Sequence, residues 1–245
     1  MLLEIYDIEP LKNFFDLIYD SASVVELKVR SENLSISLLN NSHVAFYNII
    51  FDKAFFGEYG FRESERVLVF VEDFYKILKS ASKNDTLVLE TNDSNLICVF
   101  EHDSNRRVFE LPLAEDYGDS PVPPSIDYPT EFHINVSDLK QPCNDLDKIV
   151  KTDRFKIILD KDEFNVIAPT DAMTKYQNTI LVDNEYTGKL SSIYNIQYIS
   201  DLLKLSKISK EALFKLGDGL PLTWIMKSSD DLIEVSGLVA PIIEE

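Results

Sequence analysis

The chain has 245 residues, 42 Asp and Glu against 24 Lys and Arg, a formal net charge of −18 and 45% hydrophobic residues. That size suits two domains of ordinary length whose apolar content fills cores without disulfide or metal staples, and Cys98 and Cys143 fall in no ligand spacing, so neither a metal nor any other cofactor is expected. The charge excludes a uniformly basic nucleic-acid binder, so any phosphate contact depends on where the 24 cations sit.

The opening stretch MLLEIYDIEPLKNFF has no basic n-region and no apolar run long enough for a signal or a span, so a cytoplasmic or nuclear location is expected, with no membrane contact. A helix is predicted from Ile8 to Asp20, then alternating segments that read as strands at Glu26 to Val29, Leu34 to Leu38, Val44 to Ile50 and Val67 to Phe70. A second helix is predicted from Glu72 to Lys83, followed by strands at Leu87 to Glu90, Leu96 to Phe100 and Val108 to Leu113. Residues 114–129, AEDYGDSPVPPSIDYP, hold four of the ten prolines and no periodicity; proline fixes φ and removes amide donors, which makes an extended connector.

The second half repeats the style. A helix is predicted from Ser137 to Val150, with Pro142 removing a backbone hydrogen bond inside it, then strands at Phe155 to Leu159, Phe164 to Ile167 and Asn178 to Val182. A fourth helix from Ile196 to Lys207 precedes strands at Leu213 to Leu216, Leu222 to Met226 and Ile233 to Leu238. Laid over each other, the halves bring Leu11-Lys12 onto Leu139-Lys140 and Leu78-Lys79 onto Leu203-Lys204, which points to a duplicated α+β domain. The expected division is 1–113, a connector at 114–129, and 130–245.

Lysines gather on the predicted helices. Lys76, Lys79 and Lys83 recur at i, i+3 and i+7 opposite Phe74, Ile77 and Leu78; Lys204 and Lys207 lie opposite Ile199, Leu202 and Leu203, with Lys210 beyond, while Lys12 and Lys140 stand on the first and third helices. Acidic residues crowd loops and tails instead. On one helix such lysines are an ordinary solvated face; on four helices in a repeated frame they suggest a local positive surface, suited to phosphate because an ammonium demands no bidentate geometry. No aromatic or arginine cluster suggests base reading, so the contact should be independent of sequence.

No P-loop, G-x-S-x-G or H-E-x-x-H motif occurs. Gly217-Asp218-Gly219 precedes no helix and reads as a hairpin turn, and His102 and His133 are isolated. The expectation, which rests on the resemblance described next, is of a protein that is not an enzyme. The competing one is an acidic binding module of the same fold, or a phosphatase- or nuclease-like enzyme whose carboxylates converge only in the fold.

Several segments then carry a resemblance. Leu39-Asn40-Asn41-Ser42-His43-Val44-Ala45, Lys76-Ile77-Leu78-Lys79 ahead of Asp85-Thr86-Leu87, Arg107-Val108-Phe109-Glu110-Leu111-Pro112-Leu113, Tyr198 to Lys204, Gly219-Leu220-Pro221-Leu222 and Leu238 to Glu245 resemble, in one register, the sliding clamps of the proliferating cell nuclear antigen family, archaeal kind. Asn40 stands where that family usually has Asp. The resemblance implies a pseudo-sixfold ring of three subunits, identical or not, with helices lining the hole and sheets outside, a polymerase processivity factor around duplex DNA. Lys12, Lys76, Lys79, Lys83, Lys140, Lys204, Lys207 and Lys210 would then face DNA. It also implies partners (polymerase, clamp loader, ligase and flap nuclease) that dock short peptides of the form Gln-x-x-aliphatic-x-x-aromatic-aromatic.

The pocket implied for those peptides is walled by Leu39, His43, Val44 and Phe46, by Tyr117, Val122 and Ile126 of the connector, and by Leu220, Pro221, Val239, Ala240, Pro241 and Ile242. Subunits are expected to pair strand to strand, Arg107, Val108, Phe109 and Leu111 of one against Thr179, Ile180, Leu181 and Val182 of the next, because edges paired in a closed ring no longer invite aggregation.

Overall fold

Alternating burial along short antiparallel strands, with amphipathic helices packed beside them, sets most of the backbone. The computed structural model describes residues 1–60, 65–115 and 121–243. Contacts divide the chain into two units: unit 1 is Met1–His43, Tyr47–Val122 and Lys227–Val235, and unit 2 is Val44–Phe46, Pro123–Met226 and Ser236–Glu245.

In unit 1 the order is β1 (Leu2–Ile5), α1 (Glu9–Ile18), β2 (Val24–Val29), β3 (Asn33–Leu39), β4 (Ala45–Asp52), β5 (Tyr59–Gly60), β6 (Glu65–Phe70), α2 (Val71–Lys79), β7 (Thr86–Thr91), β8 (Asn95–His102) and β9 (Asn105–Pro112). The first two residues of β4 count with unit 2. Strands run in the orders β5-β1-β7-β8-β9 and β4-β3-β2-β6. Pro10 sits in the first turn of α1, where its missing N–H costs nothing. Leu11, Phe14, Phe15, Leu17 and Ile18 are buried on one side of that helix, and Phe15 meets Phe74 of α2 edge to face at 4.9 Å.

Unit 2 follows with β10 (Thr130–Asn135), a 3-10 turn (Val136–Leu139), α3 (Lys140–Asp145), a π turn (Leu146–Val150), β11 (Arg154–Asp160), β12 (Glu163–Ile167), β13 (Gln177–Leu181), β14 (Lys189–Asn195), α4 (Ile196–Lys204), β15 (Glu211–Leu216), β16 (Leu222–Lys227) and β17 (Ile233–Val239). Its strand orders are β13-β12-β11-β14 and β10-β15-β16-β17, although the last residue of β16 and the first three of β17 count with unit 1. Strand for strand these match β4-β3-β2-β6 and β1-β7-β8-β9 of unit 1, with a helical segment after the first strand and another before the last three strands in each. The fold is thus a duplicated α+β arrangement.

Several expectations change in detail. Four strands, β1, β5, β10 and β14, were not legible in the alternation. The helices are shorter than their lysine patterns implied: α2 ends at Lys79, so Lys83 lies outside it, and α4 ends at Lys204, leaving Lys207 and Lys210 in the turns beyond. Ser80 ends α2 because its N–H and hydroxyl both donate to the Ile77 carbonyl. The predicted helix from Ser137 to Val150 is three short turns of different pitch; α3 starts only two residues before Pro142, which therefore occupies a first-turn position where no amide donor is missed.

Candidate nucleic-acid interface and partner pocket

On unit 1 the solvent side of α1 and α2 carries Lys12, Lys76 and Lys79, all expected there, but carboxylates share it. Lys12 Nζ lies 3.2 Å from Glu9, Lys76 Nζ lies 2.5 Å from Glu72 and 4.0 Å from Asp73, and Lys79 sits 5.3 Å from the Tyr75 ring. The hydrogen bond to Glu72 holds the Lys76 pKa above the ordinary lysine value. Tyr75 itself is buried, and that burial, with its hydroxyl donating to Asp16, pushes its pKa to about 12. Lys83 is exposed and makes no ion pair among the described residues.

On unit 2 Lys204 reaches Asp201 at 3.1 Å; Asp201 is 4% exposed and also accepts from Gln197 at 2.9 Å. Lys140, Lys207 and Lys210 are exposed. Sequence reading missed the carboxylates that share these faces, although Glu9, Glu72 and Asp201 stand three or four residues before their lysines, the spacing at which helical side chains meet.

The unit 2 members of the expected pocket are held by specific bonds. Ala240 N–H donates to the Val44 carbonyl at 2.8 Å, and Ile242 N–H to the Ile193 carbonyl at 2.7 Å, which fixes the segment Val239 to Ile242. Gly237 on β17 has no Cβ because the Trp224 indole fills that space. The turn at Leu220 and Pro221 is tied to β14: Tyr194 hydroxyl donates to the Leu220 carbonyl at 2.7 Å, Ser192 hydroxyl to the Gly217 carbonyl at 3.1 Å, and Ser191 N–H to Asp218 at 3.0 Å. Burial raises the Tyr194 pKa. Val44, Leu220, Pro221, Ala240, Pro241, Ile242 and Ile126 are half-buried, while Phe46 and Val239 are buried and so serve as support more than as contact surface. Leu39 is 38% exposed and His43 is exposed at φ 58°, both in unit 1, as is Val122 at 84%; Tyr117 lies outside the described residues. Ser192, Ile193, Tyr194 and Asp218, which hold these walls, carried no signal in the sequence because they act through the fold.

Each expected pairing strand is an edge. β9 ends the order β5-β1-β7-β8-β9, and β13 begins β13-β12-β11-β14. Val108 is 46% and Leu181 74% exposed, Thr179 is exposed and Ile180 half-buried, whereas Leu111 and Val182 are buried; Phe109 packs edge to face on Phe100 at 6.0 Å. Arg107 is turned to its own unit, with its guanidinium 2.5 Å from Asp85, and His102, expected to be isolated, lies 3.9 Å from Asp85 and 3.3 Å from Asp103. Among the described residues no three His, Cys, Asp or Glu are grouped to hold a metal, and no helix is long and apolar enough to cross a membrane.

These lysine-bearing helices, open strand edges and the fixed C-terminal segment belong to a known architecture. The model of the N-terminal domain of proliferating cell nuclear antigen matches residues 4–115. The fold agrees with a chain of the PCNA2-PCNA3 complex from Sulfolobus tokodaii at TM-score 0.86, 20% identity and full coverage of both chains, and with proliferating cellular nuclear antigen from Entamoeba histolytica at TM-score 0.87, 15% identity, over 99% of this chain and 98% of that one. A DNA polymerase sliding clamp of Methanothermobacter thermautotrophicus is 32% identical over 98% of this chain and 97% of its own, and one of Methanobrevibacter smithii is 28% identical over the same shares. The chain belongs to the DNA polymerase sliding clamp family.

Proposed function

We propose that this chain is a polymerase processivity factor whose subunits close into a three-membered ring around duplex DNA. The observation that carries the reading is the 32% identity to a DNA polymerase sliding clamp along 98% of the chain. Two clamp domains, 1–113 and 130–245, flank the connector 114–129. Ring closure joins β9 of one subunit to β13 of the next, since both are open edges bearing exposed apolar side chains. Lys12, Lys76, Lys79, Lys83, Lys140, Lys204, Lys207 and Lys210 supply screened, sequence-independent attraction to phosphate, which lets the ring slide. Partner peptides insert an aromatic plug beside Leu220, Pro221, Ala240, Pro241 and Ile242 of unit 2. The protein works as a scaffold for other enzymes and not as a catalyst.

The test is retention on DNA of two topologies. The purified protein, loaded on nicked circular DNA, should stay bound at a salt concentration where it slides off linear DNA, and sedimentation should give three times the chain mass. Equal loss from both DNAs would overturn encirclement. A monomer that becomes a ring only with different clamp subunits would assign the chain to a heterotrimer.

A further inference from the structure

Arg107 was expected to face a neighbouring subunit, yet its side chain is spent inside unit 1. One guanidinium nitrogen lies 2.5 Å from Asp85 Oδ2, another donates to the Ser80 carbonyl at 3.0 Å, and the group stacks 5.0 Å from the Phe100 ring. Asp85 is 5% exposed at its side chain and also accepts from Ser82 N–H at 2.8 Å, closing the turn that follows α2. The Asp85 N–H in turn donates to the Ser82 carbonyl at 3.1 Å. A single fork therefore grips the C-terminal end of α2, where the carbonyls carry partial negative charge, and the turn bearing Lys83, and fixes both to edge strand β9.

We infer that Arg107 and Asp85 are positioning residues that lock the Lys83 turn to β9, so that one half-buried ion pair sets both where Lys83 meets phosphate and the geometry of the strand that pairs with the next subunit. The inference rests on the reading of the lysines as phosphate contacts and of β9 as a pairing edge. Lys83 is two residues from Asp85 and has no carboxylate of its own among the described residues, so its position depends on that turn. Val108, next to Arg107, is exposed on the other face of β9, and Arg106 there pairs with Glu101 of β8 at 3.2 Å, while Arg107 holds the strand from behind.

The experiment compares the full-length chain with K83E, R107K, D85N/R107Q and the triple variant K83E/D85N/R107Q. It measures retention on nicked circular DNA from about 50 to 200 mM salt and assembly by sedimentation. K83E should lower the slope of log retention against log salt by about one, roughly a threefold change in retention across that range. D85N/R107Q replaces the ion pair by neutral groups of similar shape; it should lower the slope by the same amount, raise the concentration at which the ring dissociates about tenfold, and make the added K83E silent. A purely structural role would shift thermal stability and leave K83E with its full effect in that background, which would overturn the inference, as would wild-type slope and assembly in D85N/R107Q. If D85N/R107Q does not fold, R107K decides: it keeps a charge beside Asp85 but cannot also reach the Ser80 carbonyl, so an intermediate slope supports the lock and a wild-type slope removes it. If K83E alone leaves the slope unchanged, the phosphate reading of Lys83 fails, and the lock then stands or falls on the assembly measurement alone.

Discussion

The helical segments of the two units occupy equivalent places in the same strand order yet are built differently. In unit 1, α1 is ten residues long and anchored by Phe14 and Phe15; in unit 2 the equivalent stretch is a 3-10 turn, the six-residue α3 and a π turn, anchored by Leu139, Pro142, Cys143 and Leu146. Charge differs as well. Within α1, α2 and the six residues after each, Lys12, Lys76, Lys79 and Lys83 stand against Glu9, Asp16, Asp20, Glu72, Asp73 and Asp85. Within α3, α4 and the six residues after each, Lys140, Lys148, Lys151, Lys204, Lys207 and Lys210 stand against Asp145, Asp147 and Asp201. A repeated fold thus tolerates one half whose helices are both regular and outweighed by carboxylates and another whose first helical segment is broken into turns, whose second is regular, and which carries the positive excess. Packing needs only the apolar face of a helix, so the outer face is free to differ.

The largest expected effect separates the two anchors. Phe15→Ala should destabilise unit 1 by about 3–5 kcal/mol, since a buried aromatic leaves a cavity, whereas Cys143→Ala removes a single sulfur from α3 and should cost about 1 kcal/mol. Chemical denaturation followed by a probe in each unit measures this; equal losses would mean that the irregular segment packs as tightly as α1.

Next in size is the DNA contact. Reversing Lys140 and Lys210 to Glu should weaken retention and lower the salt slope by about two, so that the fall in retention between 50 and 200 mM salt is roughly tenfold smaller than for the unaltered chain. Reversing Lys12 and Lys76 should do less, because those ammoniums already lie against Glu9 and Glu72. Reversal of Lys53 and Lys161, expected on the outer surface, serves as the control and should leave the slope unchanged. A larger effect from the unit 1 pair would remove the charge contrast.

Alkaline titration gives a third test. Burial, with the bond to Asp16, holds Tyr75 protonated to about 12 against an ordinary value of 10, so the folded state binds a proton that the unfolded state releases first. The stability this group provides is complete below pH 10 and is lost as pH rises toward 12. Tyr75→Phe should flatten that part of the stability curve, and an unchanged curve would exclude Tyr75 as its source. Burial also pushes the Cys98 thiol up to about 12, so Cys98 should resist alkylation near pH 8 until the protein unfolds.

The smallest effect concerns Lys151, which closes the π turn at φ 60°, ψ 49°, a left-handed conformation that costs a side-chain-bearing residue about 1 kcal/mol. Lys151→Gly should raise the melting temperature by at most about 2–4 °C. No gain would mean that the added freedom of the unfolded chain offsets the relief.

What the chain determined locally is clear element by element. The apolar spacing of Leu11, Phe14, Phe15 and Ile18 marks α1, and thirteen alternating segments mark strands that formed. Period-two and period-3.6 patterns are set by which side faces the core, and a local reading captures them. β1, β10 and β14 escaped because their identity as strands is settled by pairing with residues far along the chain, Leu2 with Glu90, Thr130 with Leu216 and Arg154 with Asn195. For the same reason the sequence could name the lysines but not the carboxylates that neutralise some of them, and could put Arg107 on an edge strand but not turn it inward to Asp85. Hydrophobic periodicity is a property of neighbours in sequence; register, edge position and ion pairing belong to neighbours in space, and only the tertiary structure brings those together.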